Sequence, residues 1–254
     1  MISESQFHQY LLWGGFVSAV AVFLYLLYVP APYGRHLREG WGPSIPNRLG
    51  WILMETPAVL TILICYVISP NPHIGAAWVF LLIWETHYLY RTYIFPFRLR
   101  TQGKRMPIVI VVSGMVFNVI NGYLNGRYLS FLGPVYEAAW LSDPRFLAGA
   151  LLFFSGLAIN VHSDTILQRL RSDGRTGYRI PQGGLYRWVS CPNYLGELIE
   201  WAGFAILTWS LPGLVFAVWT FANLAPRALA NHRWYRQQFP DYPETRKAFI
   251  PYLV

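Results

Sequence analysis

The chain has 254 residues, of which 54% are hydrophobic and only 13% are charged. About a quarter of the residues in soluble domains are charged, so this composition excludes an ordinary soluble globule and favours a lipid bilayer as the solvent. The formal charge of +8 does not predict nucleic-acid binding, because basic loops fix the orientation of membrane proteins. Cys65 and Cys191 lie in or beside apolar stretches and predict neither a disulfide framework nor a metal site.

Apolar windows of about 20 residues predict transmembrane helices. We expect an all-α integral membrane protein with seven transmembrane helices in one domain covering 1–254. The predicted spans are 10–29, 49–68, 75–96, 107–125, 146–164, 194–210 and 212–228. Only a short Ser-Leu-Pro-Gly sequence separates the last two spans, which predicts a tight helical hairpin.

The basic residues follow alternate spans. Of the 20 basic residues, 17 lie in the segments that follow the first, third, fifth and seventh spans. In a protein with seven spans, these four segments lie on the same side of the membrane. The opposite side receives only Arg127 and Arg145, while Arg91 lies within the third span. The positive-inside rule therefore predicts an outside N-terminus and a cytoplasmic C-terminus.

Ionisable side chains are costly within a bilayer and are functional candidates by default. The second span contains Glu55 shortly before Pro57, where the acid could instead satisfy backbone groups freed by a helix kink. On the third span Glu85, Tyr88 and Arg91 share one helical face. Neutralisation of Glu85 by Arg91 is the structural alternative for that face.

Two more polar stripes lie at the predicted cytoplasmic ends of the fifth and sixth spans. Their members are Asn160, Asp164, Gln168 and Arg171 on the fifth span and Asn193, Glu197 and Glu200 on the sixth. The stripe on the fifth span could be only a solvated helix end. Together the stripes predict a cavity open to the cytoplasm, and its arginine-rich mouth suits a phosphorylated ligand. By themselves they indicate a membrane enzyme or a transporter with an anionic cytoplasmic ligand.

Several sequence stretches resemble the steroid 5α-reductase family. They are INVHSD at 159–164, YRIPQGGLYRWVSCPNYLGELIEW at 178–201, TWSLP at 208–212 and RALANHRWYRQQFPDYPETRKAFIPYL at 227–253. The resemblance continues upstream through HYLYRT in the third span and WILMETP in the second, and is weakest in the first 45 residues. The combination of IPxGGL, NYLGE and a terminal DYPxxRKAxIP is specific.

The resemblance implies NADPH-dependent reduction of the Δ4 C=C bond of a 3-oxo-Δ4 steroid to the 5α-3-oxo steroid. The hydride would go to the β carbon, and the catalytic Glu–Tyr pair of the family, which polarises the ketone, maps onto Glu55 and Tyr88. Burial favours a neutral carboxyl, so a protonated Glu55 that assists the phenol is physically reasonable. The family's cofactor-contacting positions map onto Arg91, Asn160, Asp164, Arg171, Arg179, Asn193, Glu197, Arg227 and Tyr235.

The cofactor expectation also has support from the residues themselves. No G-x-G-x-x-G follows a strand, so a Rossmann turn is not expected to hold the dinucleotide. The arginine-rich mouth favours NADPH over NADH because of the extra 2′-phosphate. The expected partners are a lipophilic testosterone- or progesterone-like steroid and the lipid bilayer, with no metal and no nucleic acid.

Three departures from the vertebrate members bear on substrate range and cofactor affinity. Met54 replaces the glutamine before the catalytic acid, and Phe95 replaces a cofactor-holding tyrosine. Ala230 and Asn231 precede His232 in place of a histidine-rich run. None of the three changes the reaction class that the resemblance implies.

Other functions remain open from the sequence. One is a related membrane reductase acting on enoyl thioesters, polyprenols or sterol rings, and another is an isoprenylcysteine- or phospholipid-type methyltransferase. A non-enzymatic seven-span receptor or transporter is the third. Arginine outnumbers lysine by 18 to 2, which favours a bacterial homologue, and hence a bacterial inner membrane; a eukaryotic source would place the protein in the endoplasmic reticulum membrane.

Overall fold

The structure of the protein is a computed structural model that describes residues 2–30, 40–70, 75–99, 103–170 and 177–253. The described chain is mostly helical. Its helices are α1 (Glu4–Tyr28), α2 (Asn47–Val67), α3 (Ala76–Leu89), α4 (Phe95–Arg98), α5 (Ile108–Arg127), α6 (Pro144–Arg169), α7 (Pro192–Thr208) and α8 (Leu211–Gln238). A helix lies at each of the predicted apolar segments, which confirms the all-α membrane class.

Five helical segments of the described chain are long and apolar enough to cross a membrane. They are Glu4–Tyr28, Asn47–Val67, Ile108–Leu132, Pro144–Arg169 and Leu211–Gln238. The third predicted span is not among these five; it consists of α3, a π-helical turn at Tyr90–Ile94 and the short α4. Helix α7, at the predicted sixth span, has only 17 residues and is also not among the five. Seven spans therefore stay a prediction.

Helix ends differ from the predicted spans where polar residues continue a helix. The predicted seventh span ends at 228, whereas α8 continues to Gln238 because its backbone hydrogen bonds do not depend on apolar side chains. At the start of α6, the Oδ1 atom of Asp143 accepts from the backbone N–H of Arg145 at 2.8 Å. Hydrogen bonds from the side chain and backbone of Arg145 hold the pKa of Asp143 at about 2. This acidic cap fixes where α6 begins.

One small element was not predicted. Two three-residue strands, β1 (Ser44–Pro46) and β2 (Arg105–Pro107), pair antiparallel, with Ile45 opposite Met106. Each strand leads directly into a long helix, so the pair holds the starts of α2 and α5 side by side. Strands this short carry too few residues for a period-two pattern to reveal them.

The chain divides into two compact units. The first comprises Met1–Gly14, Pro32–Leu147 and Thr208–Gly213, and the second comprises Gly15–Ala31, Ala148–Leu207 and Leu214–Val254. The single reductase domain remains a prediction.

Candidate active site

Helices α2 and α5 of the first unit approach each other along a row of glycines. A methyl group placed on Gly114 would lie 2.3 Å from Cγ of Met54, and one on Gly122 would lie 2.9 Å from Cβ of Thr61. Gly126 continues the row at i+4. Small residues at this spacing let two membrane helices pack backbone against side chain, which fixes their rotation and register.

Glu55 lies on the α2 face that this packing covers. The side-chain amide of Asn118, the α5 residue between Gly114 and Gly122, donates to Oε2 of Glu55 at 3.1 Å. The same nitrogen donates to the backbone carbonyl of Met54 at 2.8 Å. Glu55 is only partly exposed, so the acid is held by a neighbouring helix and does not simply satisfy the backbone freed at Pro57.

Tyr88 lies on α3 at the same level as Glu55. Tyr66 donates to the carbonyl of Ala77 at 2.8 Å, and the indole of Trp84 donates to the carbonyl of Ala58 at 3.1 Å. The later α3 residue, Trp84, contacts the earlier α2 residue, Ala58, and the earlier α3 residue, Ala77, contacts the later α2 residue, Tyr66. The two helices are therefore antiparallel.

Their spacing gives the relative height of the two candidates. Glu55 is one turn before Ala58 on α2, and Tyr88 is one turn after Trp84 on α3. At about 1.5 Å of rise per residue, the two residues come within roughly one residue of the same level and on the facing sides of the pair. Tyr88 is buried, with its ring 4.9 Å from that of Trp84.

Arg91 lies in the π-helical turn of the first unit. Its guanidinium lies 4.5 Å from the ring of Trp51 and 4.5 Å from that of Phe95. The structural alternative for this face, neutralisation of Glu85 by Arg91, is not formed: both carboxyl oxygens of Glu85 are buried without a hydrogen-bond partner in the described part of the chain. Two residues six positions apart already lie roughly 120° from each other around a straight helix, and the π turn changes the direction of the Arg91 side chain further.

In the second unit, α6 and α7 approach through glycines on both helices. A methyl group on Gly156 would lie 2.4 Å from the backbone nitrogen of Glu200, and one on Gly196 would lie 2.6 Å from that of Asn160. Gly203 meets the backbone of Phe153 in the same way at 2.5 Å. The helices are thus antiparallel and nearly in backbone contact. Glu200 is fully buried at this seam.

The close approach joins the two predicted polar stripes into one cluster. Asn160 donates to the backbone carbonyl of Asn193 at 3.0 Å and reaches Oε2 of Glu197 at 3.5 Å. The amide of Asn193 in turn donates to Oδ1 of Asp164 at 3.0 Å. Asn160 and Asp164 are buried, so the fifth-span stripe is not merely a solvated helix end.

Two candidate arginines of the second unit, Arg179 and Arg227, contact residues at the end of α6 and on α7. Arg179 donates to the carbonyl of Leu170, at the end of α6, at 2.6 Å. Arg227 on α8 donates to the hydroxyl of Tyr194 at 3.2 Å, with its guanidinium 5.2 Å from that ring. These contacts orient both guanidinium groups.

Tyr235 and Arg171 differ from the other candidates. Tyr235 is buried and stacks on Tyr242, with ring centroids 5.3 Å apart. Arg171 lies outside the described residues. Arg91 belongs to the first unit, and the other described cofactor candidates belong to the second.

The C-terminal segment fixes the loop that carries Arg179. The backbone N–H of Ser190 donates to the carbonyl of Lys247 at 2.8 Å, and that of Lys247 donates to the carbonyl of Trp188 at 2.8 Å. Arg246 is buried and donates to the carbonyl of Pro181 at 3.2 Å. Two of the most specific sequence motifs, IPQGGL and DYPETRKAFIP, therefore contact each other directly.

Two residues of these sites were missed from the sequence. Asn118 could have been found, because Asn118, Asn121 and Asn125 are three amides on one face of an apolar helix. Tyr186 is fully buried, and its hydroxyl donates to the carbonyl of Ser163 at 3.5 Å. Burial and the nearby Asp164 raise the pKa of Tyr186 well above its usual value, so it stays neutral. A tyrosine in a loop gives no sequence signal of such burial.

Comparison with known proteins matches the sequence to one family. The family model described as 3-oxo-5-alpha-steroid 4-dehydrogenase matches residues 104–254. The chain is 42% identical to 3-oxo-5-alpha-steroid 4-dehydrogenase 1 of Bos taurus, over 92% of both chains. It is also 42% identical to steroid 5-alpha-reductase DET2 of Gossypium hirsutum, over 100% of both. The chain belongs to the steroid 5α-reductase family.

Family membership determines the class of the protein. It is an oxidoreductase, which excludes the methyltransferase, receptor and transporter alternatives. The chain is also 42% identical to 3-oxo-5-alpha-steroid 4-dehydrogenase 1 of Homo sapiens, over 87% of this chain and 85% of that protein. Among the described residues, no group of three or more His, Cys, Asp or Glu is arranged to hold a metal ion.

Proposed function

We propose that the protein reduces the Δ4 C=C bond of 3-oxo-Δ4 steroids to 5α-3-oxo steroids with NADPH. The observation that carries the proposal is the placement of Glu55 and Tyr88 at one level of the α2–α3 pair, with Glu55 held by Asn118. Reduction of an enone needs a hydrogen-bond donor at the ketone, because negative charge develops on that oxygen in the transition state. A buried phenol beside a carboxyl supplies such a donor.

Tyr88 is the proposed donor to the ketone oxygen. Its burial against Trp84 removes competing water and keeps the hydroxyl in one place, which strengthens a hydrogen bond to developing charge. Glu55, in its protonated form, either donates to the same oxygen or orients the phenol. These two residues thus stabilise the enolate-like transition state.

The second unit contains the side chains that would hold NADPH. Asn160, Asp164, Asn193 and Glu197 supply amide donors and carboxylate acceptors of the kind that bind ribose hydroxyls and a carboxamide. Arg179, Arg227 and, by sequence, Arg171 supply positive charge for the phosphates. When bound, NADPH would supply the hydride that the β carbon accepts, and a proton from water would complete the reduction at the α carbon.

One observation tests the fit of a polar ligand to this unit. Gln168 continues the stripe of Asn160 and Asp164, and its Nε2 atom is buried without a hydrogen-bond partner in the described part of the chain. An unsatisfied buried donor costs free energy, so a ligand acceptor there is favourable. This unsatisfied donor supports the proposal of a polar ligand at this unit. Arg91 and Tyr235 remain proposed cofactor contacts from the family resemblance.

The test of this function is an assay of the purified protein in detergent with testosterone or progesterone. We expect steroid-dependent loss of NADPH absorbance, together with a 5α-reduced product identified by mass spectrometry. Enoyl thioesters and a ring-unsaturated sterol are run in parallel. Reduction of one of these, with no reduction of either 3-oxo-Δ4 steroid, would assign a related membrane reductase instead.

We also propose seven spans, with the N-terminus outside, the C-terminus in the cytoplasm and the cofactor cavity open to the cytoplasm. The supporting contact is the paired hydrogen bonds of Arg127, at the end of α5, with Glu4 at the start of α1, at 2.6 and 2.9 Å. This puts the start of the first span and the end of the fourth on one side. A reporter fused after residue 253 is expected to be active only in the cytoplasm; activity on the other side would reverse the orientation.

A further inference from the structure

The side-chain amide of Asn118 donates two hydrogen bonds to α2. A backbone carbonyl can only accept a hydrogen bond, so the atom 2.8 Å from the Met54 oxygen must be the amide nitrogen. That contact fixes which way the amide faces. The second hydrogen on this nitrogen then points to Oε2 of Glu55, 3.1 Å away.

The position of Asn118 leaves this amide little freedom. It is 4% exposed and lies on the row of Gly114, Gly122 and Gly126, where α5 is too close to α2 for larger side chains. Any shift of the amide would leave a buried donor unsatisfied at a cost comparable to a lost hydrogen bond. The glycine row therefore sets the distance between the amide and the carboxyl.

We infer that Asn118 is a positioning residue for Glu55 that selects which carboxyl oxygen carries the acid proton. The inference rests on the proposed catalytic role of Glu55. In a neutral carboxyl the carbonyl oxygen is the better acceptor, so the oxygen that accepts from Asn118, Oε2, is the unprotonated one. Oε1 then carries the proton and is the donor toward the ketone or the phenol.

The experiment compares Asn118→Ala with Asn121→Ala in the steroid assay. Asn121 is equally buried on the same helix, and its side-chain oxygen accepts from the amide of Asn125, one turn further on. The control therefore removes a similar amide from a similar environment. Asn118→Ala is expected to lower kcat about tenfold or more, the effect of one lost hydrogen bond to a reacting group, with both KM values within about twofold. Asn121→Ala is expected to keep kcat.

A double-mutant cycle separates positioning from packing. If Asn118 acts through Glu55, adding Asn118→Ala to Glu55→Gln causes little further loss, because the glutamine has no acid proton left to position. A purely structural role would lower the residual rate of Glu55→Gln by the same factor as in the wild type. Equal kcat in Asn118→Ala and Asn121→Ala would also overturn the inference.

A second variant covers failure of Asn118→Ala to fold. Asn118→Ser keeps a small polar side chain, but its hydroxyl is expected to donate within its own helix, as Ser113 does to the carbonyl of Val109 at 2.7 Å. It should therefore show the same loss of kcat with a melting temperature nearer the wild type. Full activity of a folded Asn118→Ser would overturn the inference.

Failure of the proposed function looks different from failure of the inference. Wild-type turnover in Glu55→Gln would remove the catalytic role of Glu55, and the inference with it. Loss of turnover in Glu55→Gln with normal turnover in Asn118→Ala would remove only the positioning role.

Discussion

The two units use the same packing device to hold polar groups of different kinds. In the first, the α5 glycines contact side chains of α2, and one amide holds one carboxyl, Glu55. In the second, glycines on both α6 and α7 meet backbone atoms, and two amides and two carboxylates bind one another. A single tethered acid suits chemistry at one atom. A broad array of donors and acceptors suits binding of a large polar ligand.

The largest expected effect lies in the first unit. Glu55→Gln and Tyr88→Phe should each lower kcat at least about 100-fold, the effect of removing a donor to developing negative charge. Neither change alters side-chain volume much, so the melting temperature should stay near that of the wild type. Steady-state assays and thermal unfolding in detergent measure the two quantities. Near-wild-type turnover in both variants would reject the catalytic pair.

An intermediate effect should separate the two glycine seams. Gly156→Ala forces a methyl group against backbone atoms of α7, whereas Gly114→Ala meets only the flexible side chain of Met54. Gly156→Ala is therefore expected to lower the free energy of unfolding by about 3 kcal/mol or more, the upper end of the range for overpacking. Gly114→Ala is expected to lower it by less.

Gly14→Ala is the matched control for both glycine variants. Nothing lies within 4 Å of a methyl group at that helical position, so stability should be unchanged or slightly higher. Melting temperatures of the three variants in one detergent measure the order. A Gly114→Ala protein less stable than Gly156→Ala would contradict the difference between the seams.

The smallest effect should come from the polar array. Asn193→Ala removes the donor to Asp164 but leaves the backbone carbonyl that accepts from Asn160. We expect the KM for NADPH to rise about tenfold, the effect of one or two hydrogen bonds to polar or charged groups, while the steroid KM and kcat change little. Initial rates at varied NADPH and varied steroid measure this. A rise confined to the steroid KM would assign the array to the wrong ligand. The sequence makes the same prediction for Arg171→Ala.

Periodicity predicted the second-unit array better than the first-unit pair. Asn160 and Asp164, and likewise Asn193 and Glu197, are each four residues apart on regular helices, so both stripes were visible in the sequence. In the first unit Arg91 lies in a π turn, where regular helical spacing does not apply, and the alternative contact between Glu85 and Arg91 is not formed. Glu55 and Tyr88 could be chosen only through the family resemblance.

The sequence by itself determined the membrane class, the helical segments, the two polar stripes and the family, since each depends on residue type and local spacing. Tertiary structure decided that Asn118 holds Glu55 across 63 positions of chain, and that the C-terminal segment clamps the loop of Arg179. Such contacts depend on the rotation and register of packed helices. Hydropathy is almost insensitive to both, because any apolar face can meet lipid or another helix at similar cost.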